Sequence, residues 1–153
     1  MEGGLERLPP NVPPIAREMI RYMIASTGAF QTLLRGDTTA ALRQFLALPD
    51  TACFTACSLD LLQRVELLEA RGRHQEALAQ LERSGGSLMP ALPSDVLRTL
   101  VRGRLRERLG RREEAAADFA YVVDAWARAD SVLQPYVTEA RAGLSRLGAE
   151  QRR

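Results

Sequence analysis

Residues Leu105–Val123 read LRERLGRREEAAADFAYVV and contain a spacing that occurs twice more upstream. In each copy a glycine is followed five positions later by an alanine and nine positions later by a large apolar residue. The copies are Gly110, Ala115 and Phe119; Gly72, Ala77 and Leu81; and Gly36, Ala41 and Phe45. The glycines are 36 and 38 residues apart, within the roughly 20–50-residue period of repeat proteins. The sequence therefore predicts a repeat architecture.

Each copy of the pattern predicts a tight helical hairpin. Glycine ends a helix readily because it takes the left-handed conformation without a Cβ clash. The alanine lets the second helix approach the first, and the large apolar residue one turn further along the same face fills the seam. A single hairpin cannot bury both of its faces, so we expect the copies to stack on one another.

The chain divides into three parts on this interpretation. We expect a disordered arm at residues 1–12, a helical repeat domain at residues 13–148 and a disordered tail at residues 149–153. Apolar residues at helical spacing predict a helix on each side of every turn glycine, the last from about Arg112 to Ala129. An amphipathic helix from Pro135 to Gly148 then caps the stack with its polar side. The predicted fold is all-α, a solenoid of three helical hairpins plus a C-terminal capping helix.

Composition limits the classes of function. All 21 basic residues are arginine, and 19 acidic residues bring the net charge to +2, which argues against a general nucleic-acid or acidic-membrane binder. Cys53 and Cys57 are too few for a disulfide framework, so we expect a reducing cytoplasm. The longest uncharged run that can be helical, Tyr22–Leu34, is too short to span a bilayer, which takes about 20 residues. The N-terminus lacks the apolar region of a signal peptide.

Few residues suggest catalysis or metal binding. His74, the only histidine, follows a turn glycine, and we expect an exposed loop residue there. Cys53 and Cys57 are predicted to be two small buried apolar residues, with a redox pair as the alternative, because zinc sites usually need four ligands. We therefore expect no catalytic residue, no metal and no cofactor.

Seven arginines lie between Arg98 and Arg112. On a helix, Arg98, Arg102 and Arg106 fall on one face at i, i+4 spacing, which is typical of a solvated face. Arg104 and Arg108 instead interrupt an apolar stripe. A nucleic-acid binder that uses the stripe from Arg98 to Arg112 is the alternative function, and the near-neutral total charge speaks against it.

From about Ile15 to Leu147 the chain resembles a tetratricopeptide repeat domain. The resemblance is carried by the glycine, alanine and large apolar positions, together with Gly103, seven residues before Gly110. It implies a right-handed superhelical solenoid in which the first helix of each repeat lines a groove for extended peptides. The groove positions of the family correspond here to Phe30, Glu66, Glu69, Arg104, Glu107 and Arg108.

Two roles are open for the arginines of this groove. Arg104 and Arg108, one turn apart, can hold a carboxylate or phosphate of a bound segment in a fork. Alternatively, they form ion pairs within the chain, with Glu107, Glu66 or Glu69.

A narrower resemblance concerns the C-terminal third. The run Arg102–Gly110, Trp126, and the strings 133–135 and 139–141 are similar to the C-terminal repeats of bacterial proteins in which a Ser/Thr kinase or transcriptional regulator domain precedes the repeats. This resemblance implies a non-catalytic protein- or peptide-binding module in bacterial signalling or transcription. The first helix is apolar on more than one face. We expect that the arm covers it, or alternatively that the chain associates with itself there or lacks a neighbouring repeat.

Overall fold

The described part of the chain is entirely helical. A computed structural model describes Pro9 and residues 11–49, 57–83 and 93–150. Within these ranges there are seven helices and no strand, which confirms the prediction of an all-α chain. The helices are α1 (Pro14–Leu34), α2 (Thr38–Leu46), α3 (Cys57–Glu69), α4 (His74–Arg83), α5 (Pro93–Arg108), α6 (Arg112–Ala125) and α7 (Gln134–Glu150).

The three turn glycines end α1, α3 and α5 as predicted. Gly36, Gly72 and Gly110 have φ angles of 86°, 69° and 75°, in the region that a Cβ disfavours. After α3, Arg73 N donates to Leu68 O at 3.0 Å, and after α5, Arg111 N donates to Arg106 O at 2.8 Å. These bonds cover carbonyls that the helix ends leave without a partner. The next helix begins within two residues of each glycine.

The alanine and the large apolar residue of every copy are buried. Their side chains lie on the side of the second helix of each hairpin that faces away from water, as the spacing predicts. The six buried residues are Ala41, Phe45, Ala77, Leu81, Ala115 and Phe119.

Two helix ends differ from the prediction. α6 ends at Ala125, and Trp126 is its C-cap, so residues 127–129 are not helical. No glycine or proline marks this end, and the run of alanine and arginine after Trp126 has no local signal that stops a helix. α7 continues past Gly148 to Glu150. Residues 151–153 of the predicted tail lie outside the described residues.

The chain forms two compact units, Met1–Leu67 and Leu68–Arg153. In the first unit α1 packs on α2, and the Phe30 and Phe45 rings meet edge to face with centroids 4.9 Å apart. The buried Asp60 carboxylate accepts hydrogen bonds from Tyr22 Oη (2.5 Å) and Ser26 Oγ (2.8 Å). A buried carboxylate needs such donors, because without them its charge would be unstable away from water.

Two predictions concern α1, namely a disordered arm before it and self-association through its apolar surface. Ile15, Met23 and Leu34 are exposed. Most of the predicted arm, residues 1–8 and 10, lies outside the described residues. Where it is described, Arg17 donates to the carbonyls of Pro9 and Val12, each at 3.2 Å. The last residues before α1 are therefore attached to the first turns of the helix.

In the second unit α5, α6 and α7 pack against one another around one core, and α4 packs on α5. The Phe119 ring of α6 lies between two glycines on the neighbouring helices. A Cβ at Gly103 of α5 would lie 2.9 Å from the ring, and a Cβ at Gly143 of α7 would lie 2.5 Å from it. Both distances are too short for carbon atoms in contact. The glycines therefore make room for the ring, which fixes how closely the three helices approach.

Candidate functional site

A charged surface lies along one side of α5 in the second unit. It consists of three arginines and three glutamates from α3, α5 and α7, so its formal charges balance. Four members are predicted groove residues, and Glu139 and Arg146 of α7 are additions that the sequence analysis missed. The members of this charged surface are Glu69, Arg104, Glu107, Arg108, Glu139 and Arg146.

Two of its ion pairs follow the period of the repeat. Glu69, three residues before a turn glycine, pairs with Arg108, two residues before the next one; their separation is 39 residues. Glu107 and Arg146 pair at the same separation. Gly148 lies 38 residues after Gly110, where the repeat spacing would place a fourth turn glycine. The repeat period thus pointed to Arg146 as a partner of Glu107, a signal that the sequence analysis did not use.

The three pairs of the charged surface differ in geometry. Arg146 donates twice to Glu107, from Nε at 2.7 Å and from Nη2 at 2.8 Å. Arg108 reaches Glu69 with one nitrogen at 3.4 Å. Arg104 Nε lies 3.3 Å from Glu139 Oε1 without forming a hydrogen bond. Short two-point ion pairs are the strong ones. Glu107 is therefore held firmly, whereas Arg104 and Arg108 are held loosely.

The opposite side of α5 carries a different arrangement. Arg102 donates to both oxygens of Asp118 on α6, with the shortest distance 2.6 Å, and Arg106 donates to Asp118 Oδ2 at 2.8 Å. Asp118 keeps 5% of its side chain exposed and Arg106 14%. The hydrogen bond that Arg102 donates to Asp118 raises the pKa of Arg102. The prediction of a solvated face at Arg102 and Arg106 is therefore wrong, because both side chains cover a buried carboxylate.

The rest of the arginine stripe is also engaged within the chain. Arg106 lies 3.2 Å from Glu82 on α4, and Arg111 lies 2.9 Å from the same carboxylate. Arg111 also forms a two-point pair with Glu114 at 2.6 Å, which raises the pKa of Arg111 and lowers that of Glu114. Arg112 donates to the carbonyl of Leu147 at 2.8 Å. Arg106, Arg111 and Arg112 are thus all engaged within the chain.

The other two predicted groove residues lie in the first unit. Phe30 is half-buried against Phe45. Glu66 is exposed and accepts a hydrogen bond from Gln63 Nε2 at 3.1 Å. The structure therefore brings together Glu69, Arg104, Glu107 and Arg108, whereas Phe30 and Glu66 have neighbours in their own unit.

His74 and the cysteines were the only candidates for other chemistry. His74 is the first residue of α4, half-buried, with a buried Nδ1 that has no hydrogen-bond partner among the described residues. The prediction of an exposed loop histidine is thus wrong. Cys53 and the side chain of Cys57 lie outside the described residues. Within the described ranges no three His, Cys, Asp or Glu side chains are grouped as a metal ion requires.

No protein-family model, no curated protein and no solved structure matches the chain. The likeness to tetratricopeptide repeats therefore rests on the residues quoted from the sequence. In the part of the chain that the structure describes, no helix has both the length and the apolar character of a membrane span.

Proposed function

We propose that this chain is a tetratricopeptide-like solenoid that binds a protein or peptide without catalysing a reaction. The proposal includes its setting, a regulatory module of signalling or transcription in the bacterial cytoplasm. Its support comes from three glycine turns that are 36 and 38 residues apart and from two ion pairs between α3, α5 and α7, each of which joins residues 39 positions apart. Stacked repeats of this kind build extended binding surfaces.

The observation that carries the proposal is the loose pairing of Arg104 and Arg108. Their side chains keep 40% and 54% of their surface exposed. Exposed ion pairs contribute only about 0–1 kcal/mol to stability, so a ligand can replace Glu139, which is 36% exposed, at little cost. Glu69 is 16% exposed but holds Arg108 by a single contact at 3.4 Å. Structural arginines on the same helix, in contrast, are committed to a buried carboxylate.

The alternative function, nucleic-acid binding by the stripe from Arg98 to Arg112, receives less support. Nucleic-acid binders gain most of their affinity from arginines that replace phosphate counterions. Here Arg102, Arg106 and Arg111 already have carboxylate partners within the chain. A phosphate backbone would have to displace these carboxylates.

The proposal is tested by selection from a random peptide display library, with the wild-type chain beside an Arg104→Ala, Arg108→Ala double variant. A matched control, Arg128→Ala with Arg141→Ala, removes the same charge from exposed positions outside the charged surface. Light scattering first fixes the mass of each protein, because self-association is one of the alternatives predicted for the apolar surface of α1.

We expect wild type and control to enrich the same peptides and the double variant to lose them while its circular dichroism is unchanged. Equal enrichment by all three proteins would contradict the proposal. A lysate pull-down with the same three proteins then recovers the natural partner.

A further inference from the structure

In the two loose pairs of the charged surface the arginines are more exposed than their glutamates, 40% against 36% for Arg104 and Glu139 and 54% against 16% for Arg108 and Glu69. A guanidinium has five N–H donors. Arg108 makes one contact within the described residues, at 3.4 Å, and Arg104 makes one ion pair without a hydrogen bond. On the acceptor side, Glu107 receives two short hydrogen bonds from Arg146. The surface is neutral in total charge. The weakly paired side chains that it exposes most to a ligand are nevertheless the two arginines, Arg104 and Arg108.

We infer that the charged surface binds an acidic peptide segment, and that Glu139 and Glu69 compete with this segment for Arg104 and Arg108. The inference rests on the proposed function and names its ligand class. Two carboxylates of the ligand form two-point pairs with the arginines and displace the two glutamates. Glu139 and Glu69 therefore weaken the binding of every acidic ligand, and only a ligand with enough carboxylates displaces them.

The spacing of the two arginines indicates the ligand pattern. Side chains four apart on a helix have Cβ atoms roughly 6 Å apart. In an extended segment, alternate side chains lie on one side at about 6.6 Å. An extended peptide with two acidic residues separated by one other residue therefore matches Arg104 and Arg108 on α5.

The same contacts speak against the other ligand charges. A basic peptide would have to displace Arg146 from its two-point pair with Glu107, or reach Glu69, which keeps only 16% of its side chain exposed. A nucleic acid would bring a continuous row of phosphates past Glu69, Glu107 and Glu139, and these carboxylates repel it. A peptide can present its carboxylates at the arginines alone.

The test measures fluorescence anisotropy of a labelled Gly/Ser peptide that contains Glu-Ser-Glu, at low ionic strength. A second peptide carries Gln-Ser-Gln, and a single-stranded oligonucleotide serves as the phosphate probe. The protein variants are Glu139→Gln, which frees Arg104, and Glu113→Gln as the matched control. Glu113 is exposed on α6 and outside the charged surface, so its replacement removes the same charge without freeing an arginine. Circular dichroism verifies that each variant is folded.

We expect Glu139→Gln to bind the acidic peptide about three- to fivefold more tightly than wild type, the gain from releasing one exposed ion pair. Glu113→Gln should match wild type, Arg104→Ala should lose the binding, and the Gln peptide should not bind. Unchanged or weaker binding by Glu139→Gln overturns the inference. An equal gain in Glu113→Gln also overturns it, because the change in total charge would then explain the gain. Tighter binding of the oligonucleotide than of the acidic peptide overturns it as well.

Failure of this inference is separable from failure of the proposed function. Display peptides that need Arg104 and Arg108 but carry no acidic residues would overturn the acidic ligand and leave peptide binding intact. Display that enriches nothing, together with no binding of the acidic peptide, would overturn both.

Discussion

The two sides of α5 carry the same residue type in different surroundings. On one side Arg102 and Arg106 meet the buried Asp118. On the other, Arg104 meets Glu139, which keeps 36% of its side chain exposed, and Arg108 meets Glu69, which keeps 16%. Arg106 keeps 14% of its side chain exposed and Arg108, half a turn on, 54%. The comparison teaches that the partner's burial, rather than the arginine, decides whether such a pair stabilises the fold or remains available to a ligand.

The physical reason is the cost of an unpaired buried charge. Asp118 has lost nearly all its water and depends on both arginines for its hydrogen bonds. Removal of one partner from a buried pair leaves a charge that neither water nor protein compensates. Glu139, at the exposed pair, regains water when its arginine is removed, so little free energy changes.

The largest expected effect comes from Asp118→Ala, which leaves two arginines against the core. We expect the free energy of unfolding to fall by about 3 kcal/mol, at the lower end for a broken buried pair, because Arg106 keeps Glu82 and Glu114. Urea unfolding followed by the fluorescence of Trp126, the only tryptophan, measures it. Asp124→Ala, at an exposed position of α6, is the control, and an equal loss in both would refute the distinction.

A direct comparison of the two sides uses Arg106→Ala and Arg104→Ala in the same unfolding experiment. Arg106→Ala should cost about 2 kcal/mol, typical of a lost hydrogen bond to a charged group. Arg104→Ala should cost less than about 1 kcal/mol, as for an exposed pair. Similar losses, or a larger one for Arg104→Ala, would remove the difference between the two sides.

The smallest effect concerns the exposed pair at the start of α6. The hydrogen bond from Arg111 holds the pKa of Glu114 below its usual value. A folded pKa below the unfolded one means that the pair stabilises the fold above the ordinary glutamate pKa of about 4.3, and that this contribution is lost as the pH falls through the folded pKa. Urea midpoints of wild type and Glu114→Gln should therefore differ at neutral pH and converge in acid. A constant difference would mean that the Glu114 charge is not its source.

The helices were predictable because their signals are local. The turn glycines predicted where α1, α3 and α5 end, and the helix that follows each glycine begins two residues after it. The end of α6 was not predictable from residues 127–129, which carry no stop signal. The residue before the large apolar position is polar in all three copies, and Gln80 is buried there as Asp118 is. Gln44 at the same position of the first copy is exposed, so the pattern alone did not predict that Asp118 is buried.

The charged surface was predictable in part. The resemblance placed Glu69, Arg104, Glu107 and Arg108 together, and the alternative of an ion pair between Arg108 and Glu69 is found at 3.4 Å. Glu139 and Arg146 were missed because their role depends on how α7 packs against α5, a contact between residues 35 or more positions apart. Whether Arg104 and Arg108 bind a ligand stays a prediction.

The Phe119 ring between Gly103 and Gly143 makes the volumes of these three positions interdependent. Because a methyl group at Gly143 would lie 2.5 Å from the ring, growth at either glycine requires a smaller side chain at position 119. The other copies show this exchange in part, since the positions of Gly103 and Phe119 are taken by Val65 and Leu81 in the second copy and by Ala29 and Phe45 in the first. Substitutions at these positions should therefore be inherited as compensated sets, and a search for relatives gains power by scoring the positions jointly.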